Sequence, residues 1–137
     1  MTTTRERIIR IAHVEDNKAD YALLEAMLAE SRLPPYEITH FPCPREVLRT
    51  GVEGYHMVVT DNDMPAMDGI SFVGELRATY KGLVIMLTGS EDPKVEGRAH
   101  QAGVDLVLPK RYAADEIDSD SVFHPRYLLP MFVRSII

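Results

Sequence analysis

Leu83-Val84-Ile85-Met86-Leu87-Thr88 is an almost unbroken apolar run of strand length, as expected of a strand covered on both faces. It is the fourth of five short runs that alternate with stretches of helical patterning. Ile8–Val14 leads into the charged group Glu15-Asp16-Asn17, and the helix that follows, Ala19–Ser31, carries Leu23, Leu24, Met27 and Leu28 at helical spacing. Pro34-Pro35 closes that helix, because neither proline can continue it. Residues 36–41 alternate, with Tyr36, Ile38 and His40 on one side, and a short helix is expected over Pro44–Thr50 with Pro44 in its first turn. The third strand, Tyr55–Thr60, runs into Asp61-Asn62-Asp63-Met64-Pro65-Ala66-Met67-Asp68-Gly69, ahead of a helix over Ile70–Tyr80. Ser90 or Asp92 caps a fourth helix that ends near Ala102-Gly103, and Val104–Leu108 supplies the fifth strand. Strands alternating with helices in this way predict an α/β fold of three layers, a doubly wound five-stranded parallel sheet.

The 137 residues carry 15 Lys+Arg against 21 Asp+Glu, a net charge of −6, and 45% of them are hydrophobic. That length and composition predict a single domain over 1–137 with a sizeable core of its own. The acidic balance argues against a broad nucleic-acid-binding face. No run approaches a membrane span, and the polar N-terminus makes a poor signal peptide. The single cysteine, Cys43, can form neither an internal disulfide nor a cysteine-rich zinc site, so a reducing, cytoplasmic location is expected. The end of the chain is atypical. Residues 111–121 are polar and acidic, and 122–137 are strongly apolar but contain Pro125 and Pro130. Any helix there is expected to be interrupted or to begin after Pro130.

Open parallel sheets bind ligands beyond the carboxyl ends of their strands. Strand one ends in Glu15-Asp16, strand three in Asp61-Asn62-Asp63, strand four in Thr88-Gly89-Ser90 and strand five in Lys110. Each has an ordinary structural reading alone: a helix cap, a solvated turn, a surface lysine. Together they bring carboxylates, a hydroxyl and an amine to one edge, a set suited to phosphoryl transfer. Clustered carboxylates need a cation, and hard oxygen donors suit Mg²⁺. An Asp beside that ion can serve as a phosphoryl acceptor, while Thr88 and Lys110 stabilise the phosphoryl oxygens.

The pattern resembles the receiver domain of two-component response regulators, the fold of the small single-domain chemotaxis-type regulator. The resemblance rests on Glu15-Asp16, Asp61-x-x-Met64-Pro65-x-Met67-Asp68-Gly69, Thr88-Gly89, Ala102-Gly103-Val104-Asp105 and Lys110, and it covers about residues 8–112. Separations of 45, 27 and 22 residues between Asp16, Asp61, Thr88 and Lys110 suit it. It implies the flavodoxin-like strand order 2-1-3-4-5, with Asp61 as phosphoacceptor and Thr88 and Lys110 contacting the phosphoryl group. It implies Mg²⁺ held by Asp16, Glu15, Asp61 and the backbone carbonyl of Asp63. The phosphoryl donor would be a histidine kinase or a histidine phosphotransfer protein, with Asn17 and Lys18 near its docking surface. Such a receiver catalyses its own phosphorylation and slow dephosphorylation. With nothing basic and helical after it, this one is expected to signal through a downstream protein partner or as a relay.

Departures from the family pattern keep a second reading open. Pro109 precedes the lysine, Arg111 replaces the proline that usually follows it, and Val107 replaces the aromatic switch residue. The segment 113–137 replaces a regular last helix by an acidic loop and an apolar tail, which either packs on its own sheet or supports a homodimer. The alternative is therefore a docking or dimerisation module that works without phosphorylation, or with little of it. Asp61-x-Asp63 also resembles half of the haloacid dehalogenase phosphatase signature. That pair normally sits at the first strand and is followed two residues on by a threonine, which is not so here. Flavodoxin-like cofactor binding lacks its phosphate loop after strand one.

Overall fold

The computed structural model describes residues 8–31, 33–110 and 125–134. Five parallel strands, β1 (Ile9–Val14), β2 (Tyr36–Phe41), β3 (Met57–Asp61), β4 (Leu83–Thr88) and β5 (Leu106–Pro109), form one sheet in the order β2-β1-β3-β4-β5. They alternate with α1 (Tyr21–Glu30), α2 (Pro44–Thr50), α3 (Gly69–Leu76), α4 (Pro93–Ala102) and α5 (Pro125–Arg134). The expected fold class and strand order are both present.

Strand alternation divides the apolar residues between two cores. Ala12, Val14, Val58, Val84 and Met86 face Val47 of α2, Phe72, Val73 and Leu76 of α3, and Ala99 of α4. Ile9, Ile11, Met57, Val59, Ile85, Leu87 and Leu108 face Leu24, Met27 and Leu28 of α1, and Leu129 and Val133 of α5. Both faces of β1, β3 and β4 are therefore covered, which is why these strands read as largely apolar, broken in β1 by Arg10 and His13. Register between neighbours, such as Val59 opposite Ile85 and Met86 opposite Val107, brings the carboxyl ends of β1, β3, β4 and β5 to one edge.

Several boundaries differ from the sequence reading for identifiable reasons. A single 3₁₀ turn over Lys18–Asp20, capped by the Asn17 side chain, precedes α1, so the α-helix starts at Tyr21 and not at Ala19. The α-helix of α3 stops at Leu76. The chain beyond it tightens through i→i+3 bonds from Ala78 to Glu75 and from Thr79 to Leu76. Val104 and Asp105 do not begin β5. The Asp105 carboxylate instead accepts the Val84 amide at 2.8 Å and the Arg77 guanidinium at 2.8 Å, a clasp at the amino end of the sheet. Pro109 is tolerated in β5 because that strand is an edge, where a missing N–H costs no ladder bond on its open side.

The expectation for the tail is corrected. The last helix is neither interrupted at Pro130 nor begun after it; it runs from Pro125 through Pro130 to Arg134. Pro125 occupies the first position, where its lost donor is free in any case. Pro130 forfeits one bond, to the Arg126 carbonyl near the helix start, at a local cost of about 3 kcal/mol. Leu129 and Val133, four apart on one stripe, are fully buried against the sheet. Each contributes about 1.5–3 kcal/mol, enough to offset that loss. The acidic stretch 113–120 and Tyr112 lie outside the described residues. Among the described residues no helix is long and apolar enough to cross a membrane.

Candidate functional site

β1 and β3 lie side by side, so the residues leaving their carboxyl ends share a cleft. Glu15, Asp16 and Asp61 each place a carboxylate oxygen there, all within 4.8 Å of one another. Glu15 and Asp61 are buried while Asp16 is exposed, so the group opens to solvent on one side. Burial pushes the Glu15 carboxyl up to about 7, opposed by the Asn17 amide it accepts at 3.1 Å and reinforced by the charge of Asp61. Burial likewise raises Asp61, with Lys110 and the Asp63 amide pulling the other way. Buried carboxylates that resist ionising together are a donor set that a divalent cation satisfies. Hard oxygens with an open, water-accessible side suit Mg²⁺. The side chain of Asp63 is exposed and is not part of this group.

Lys110 enters from the end of β5. Its Nζ lies 3.0 Å from Asp61 Oδ1, a close ion pair whose angle falls short of a hydrogen bond, and donates to Asp20 Oδ2 at 3.2 Å. Burial would lower the ammonium's pKa, but Asp61 and Asp20 more than compensate and raise it. Pro109, at the end of β5, therefore does not keep this amine from Asp61, while the other unusual flank, Arg111, lies outside the described residues. Thr88 is buried at the end of β4, and its Oγ1 accepts the Ser90 amide at 3.0 Å, which leaves the hydroxyl proton free to donate.

The Met64-Pro65-x-Met67-Asp68-Gly69 run shapes the loop that follows Asp61. Met64 is buried in the core below it. Asp68 caps α3 by accepting the Ser71 amide at 2.7 Å, and Asn62 Oδ1 accepts that of Ile70 at 3.3 Å. Gly69 donates to the Asn62 carbonyl at 2.9 Å, and a Cβ on it would overlap the Asp61 carbonyl oxygen. Only glycine lets α3 start this close to the end of β3.

The profile of the response regulator receiver domain matches residues 11–120, most of the chain. The chain belongs to that family. A two-component response regulator of rice, ORR42, is 31% identical over 104 residues, covering 74% of this chain and 76% of its own. The probable chemotaxis protein CheY of Rhizobium etli is 36% identical over 66 residues, covering 46% of this chain and 51% of its own. The Arabidopsis thaliana response regulator ARR12 is 29% identical over 105 residues, but the match spans only 18% of that longer protein. Among solved structures, Vibrio cholerae CheY4 superimposes with a TM-score of 0.69 at 19% identity, covering 96% of this receiver and all of that chain. The DrrB receiver domain activated with BeF3 superimposes with the same score at 23% identity, covering 93% and 97%. These two likenesses concern the fold.

The receiver's cleft also holds residues that the sequence reading passed over. Asp20 ends the 3₁₀ turn before α1, and no spacing in the sequence pairs it with Lys110, 90 residues further on. Beneath Glu15, His13 is fully buried, and its Nδ1 faces the Nδ1 of His40 at 2.9 Å. His40 Nε2 donates to Glu25 Oε1 at 3.2 Å, so in the neutral ring its Nδ1 accepts and His13 Nδ1 donates. Tyr21 stacks on His40 at 3.9 Å and donates its hydroxyl to the Glu15 carbonyl. Alternation did place His40 on the same side of β2 as Tyr36 and Ile38, but nothing in the sequence paired it with His13.

Proposed function

We propose that this receiver accepts a phosphoryl group on Asp61, in a Mg²⁺-dependent transfer from a phosphohistidine of a kinase or phosphotransfer protein, and signals through protein contacts. The observation that carries this reading is the buried Asp61 carboxylate flanked by an acidic pair on one side and by the Lys110 ammonium at 3.0 Å on the other. Glu15, Asp16 and Asp61, with the Asp63 backbone carbonyl, would hold the ion. Bound there, it would offset charge on the phosphoryl oxygens. An Asp61 carboxylate oxygen forms the new bond to phosphorus as the bond to the donor nitrogen breaks, and the departing imidazole takes a proton from solvent. Lys110 neutralises one phosphoryl oxygen and the Thr88 hydroxyl donates to another. Attack by water on the same phosphorus reverses the state and releases phosphate.

The position of Lys110 favours this reading over a module that docks without phosphorylation, since Pro109, one of the departures that motivated the alternative, leaves the amine beside Asp61. Borohydride trapping after treatment with acetyl phosphate and Mg²⁺ tests it. An acyl phosphate on Asp61 is reduced to homoserine in the peptide carrying residue 61. Trapping at another carboxylate, or at none, contradicts the assignment.

A further inference from the structure

The 3₁₀ turn between β1 and α1 puts Asp20 at the position just before the first residue of α1, where an aspartate ordinarily caps the helix. Its side chain makes no capping bond. The turn is capped three residues earlier, by the Asn17 side chain accepting the Ala19 amide at 3.0 Å. The Asp20 carboxylate is directed to Lys110 instead, accepting its ammonium at 3.2 Å while the same nitrogen lies 3.0 Å from Asp61. The pair is three-quarters shielded from water, with Lys110 at 25% and Asp20 at 24% side-chain exposure, so it is more than a solvated surface contact.

We infer that Asp20 is a positioning residue for phosphoryl transfer: it holds the Lys110 ammonium beside Asp61, so the positive charge is in place before phosphoryl oxygens arrive. The inference rests on Asp61 being the acceptor. A lysine reaches its target on a flexible four-carbon stem, and a single carboxylate leaves it free to swing into solvent when that carboxylate is modified. Two anchors from different elements, the end of β3 and the turn before α1, fix the nitrogen from two directions. When Asp61 carries a phosphoryl group, Asp20 is the anchor that has not changed, and Lys110 need shift only locally to meet the new oxygens. Because Asn17 caps the turn, removing the Asp20 charge leaves the start of α1 intact.

The test compares the wild type with Asp20→Asn, Asp20→Glu, Lys110→Ala and the Asp20→Asn/Lys110→Ala double variant. Trace acetylation of the folded proteins with acetic anhydride, read by peptide mass spectrometry against the exposed Lys94, reports how firmly the Lys110 amine is held. Asp20→Asn is expected to raise Lys110 labelling at least about threefold, since losing one of its two anchors lets the amine swing into solvent. The initial rate of phosphoryl uptake from acetyl phosphate with Mg²⁺ is expected to fall about tenfold in Asp20→Asn, the scale of a misplaced reacting group. Asp20→Glu recovers part of it, and the same substitution in the Lys110→Ala background has no further effect. Unchanged labelling, faster uptake in Asp20→Asn, or a loss that persists without Lys110 would each overturn the inference. A wild type that takes up no phosphoryl group while Asp20→Asn still releases Lys110 would instead defeat the acceptor reading. The role in transfer would fall with it, and Asp20 would remain only as the holder of Lys110.

Discussion

Two glycines in α3 separate a steric demand from a conformational one. Gly69 lies against the backbone of Asp61 and Asn62, whereas a Cβ on Gly74 meets nothing within 4 Å. Gly69→Ala is expected to cost about 1–3 kcal/mol, as overpacking against a backbone that cannot yield. Gly74→Ala should stabilise by about 0.5–1 kcal/mol, by removing unfolded-chain entropy in a helix interior. Urea denaturation of the two variants checks both signs. The buried titratable groups make a second prediction, for protein kept in EDTA. Burial and the facing His40, with Lys110 beyond, hold His13 down at about 3, so the unfolded chain binds a proton there from about pH 6.5 downward and the folded one does not. That costs stability as pH falls, at up to about 1.4 kcal/mol per unit. Glu15, raised to about 7, takes a proton first in the folded state and works in the opposite sense down to its unfolded pKa near 4.5. Asp61, also raised, adds to Glu15. Stability is therefore expected to hold level or rise slightly as pH falls from about 6.5 to 4.5, and to drop below that as Glu15 ceases to compensate for His13. Glu15→Gln should start the decline near 6.5, and His13→Gln should soften the drop below 4.5. Denaturation midpoints measured across this range decide it, because the slopes are independent of each variant's absolute stability.

At the scale of elements, α5 shows what local sequence rules omit. Its prolines read as interruptions because their cost is local, whereas the burial that outweighs it is set by the sheet face that Leu129 and Val133 meet. Leu129→Ala is expected to lose about 2–5 kcal/mol, while Met131→Ala, at 65% exposure, should stay within about 0.5 kcal/mol. Equal losses from the two would mean that α5 presents its other face to the core. Legibility follows the same division. β3 and β4 were readable because covering both faces of a strand leaves a nearly unbroken apolar run, which in β1 is interrupted by Arg10 and His13. Asp61, Thr88 and Lys110 were readable because a parallel sheet brings all its strand exits to one edge. The start of β5 was not, because Asp105 is withdrawn from the strand by Arg77, which lies 28 residues away in the chain. Asp20 and the His13–His40 pair were missed for a related reason. Each finds its partner on a different element, and neither pairing has a sequence spacing.

For the molecule as a whole, the two ends of the sheet have different tasks. The amino end is closed by hydrogen bonds: Arg77 donates to the Gly103, Tyr80 and Gly82 carbonyls and to Asp105, tying α3, α4 and β4 together. Gly103 permits this by taking a left-handed conformation (φ 117°) at the end of α4. The carboxyl end instead gathers carboxylates that are costly to bury and an ammonium that offsets only part of their charge. That arrangement is poor for stability and suited to capturing a cation and a phosphoryl group. The division separates the contacts that hold the receiver's fold from the anionic edge where the proposed phosphorylation would act. The most direct measurement is the intact mass of the chain and of Asp61→Ala after exposure to acetyl phosphate, each with and without Mg²⁺. The account predicts a gain of one phosphoryl group in the wild type with Mg²⁺ only, and none in the variant. A folded wild type that gains nothing, or a variant that gains as much, would contradict it.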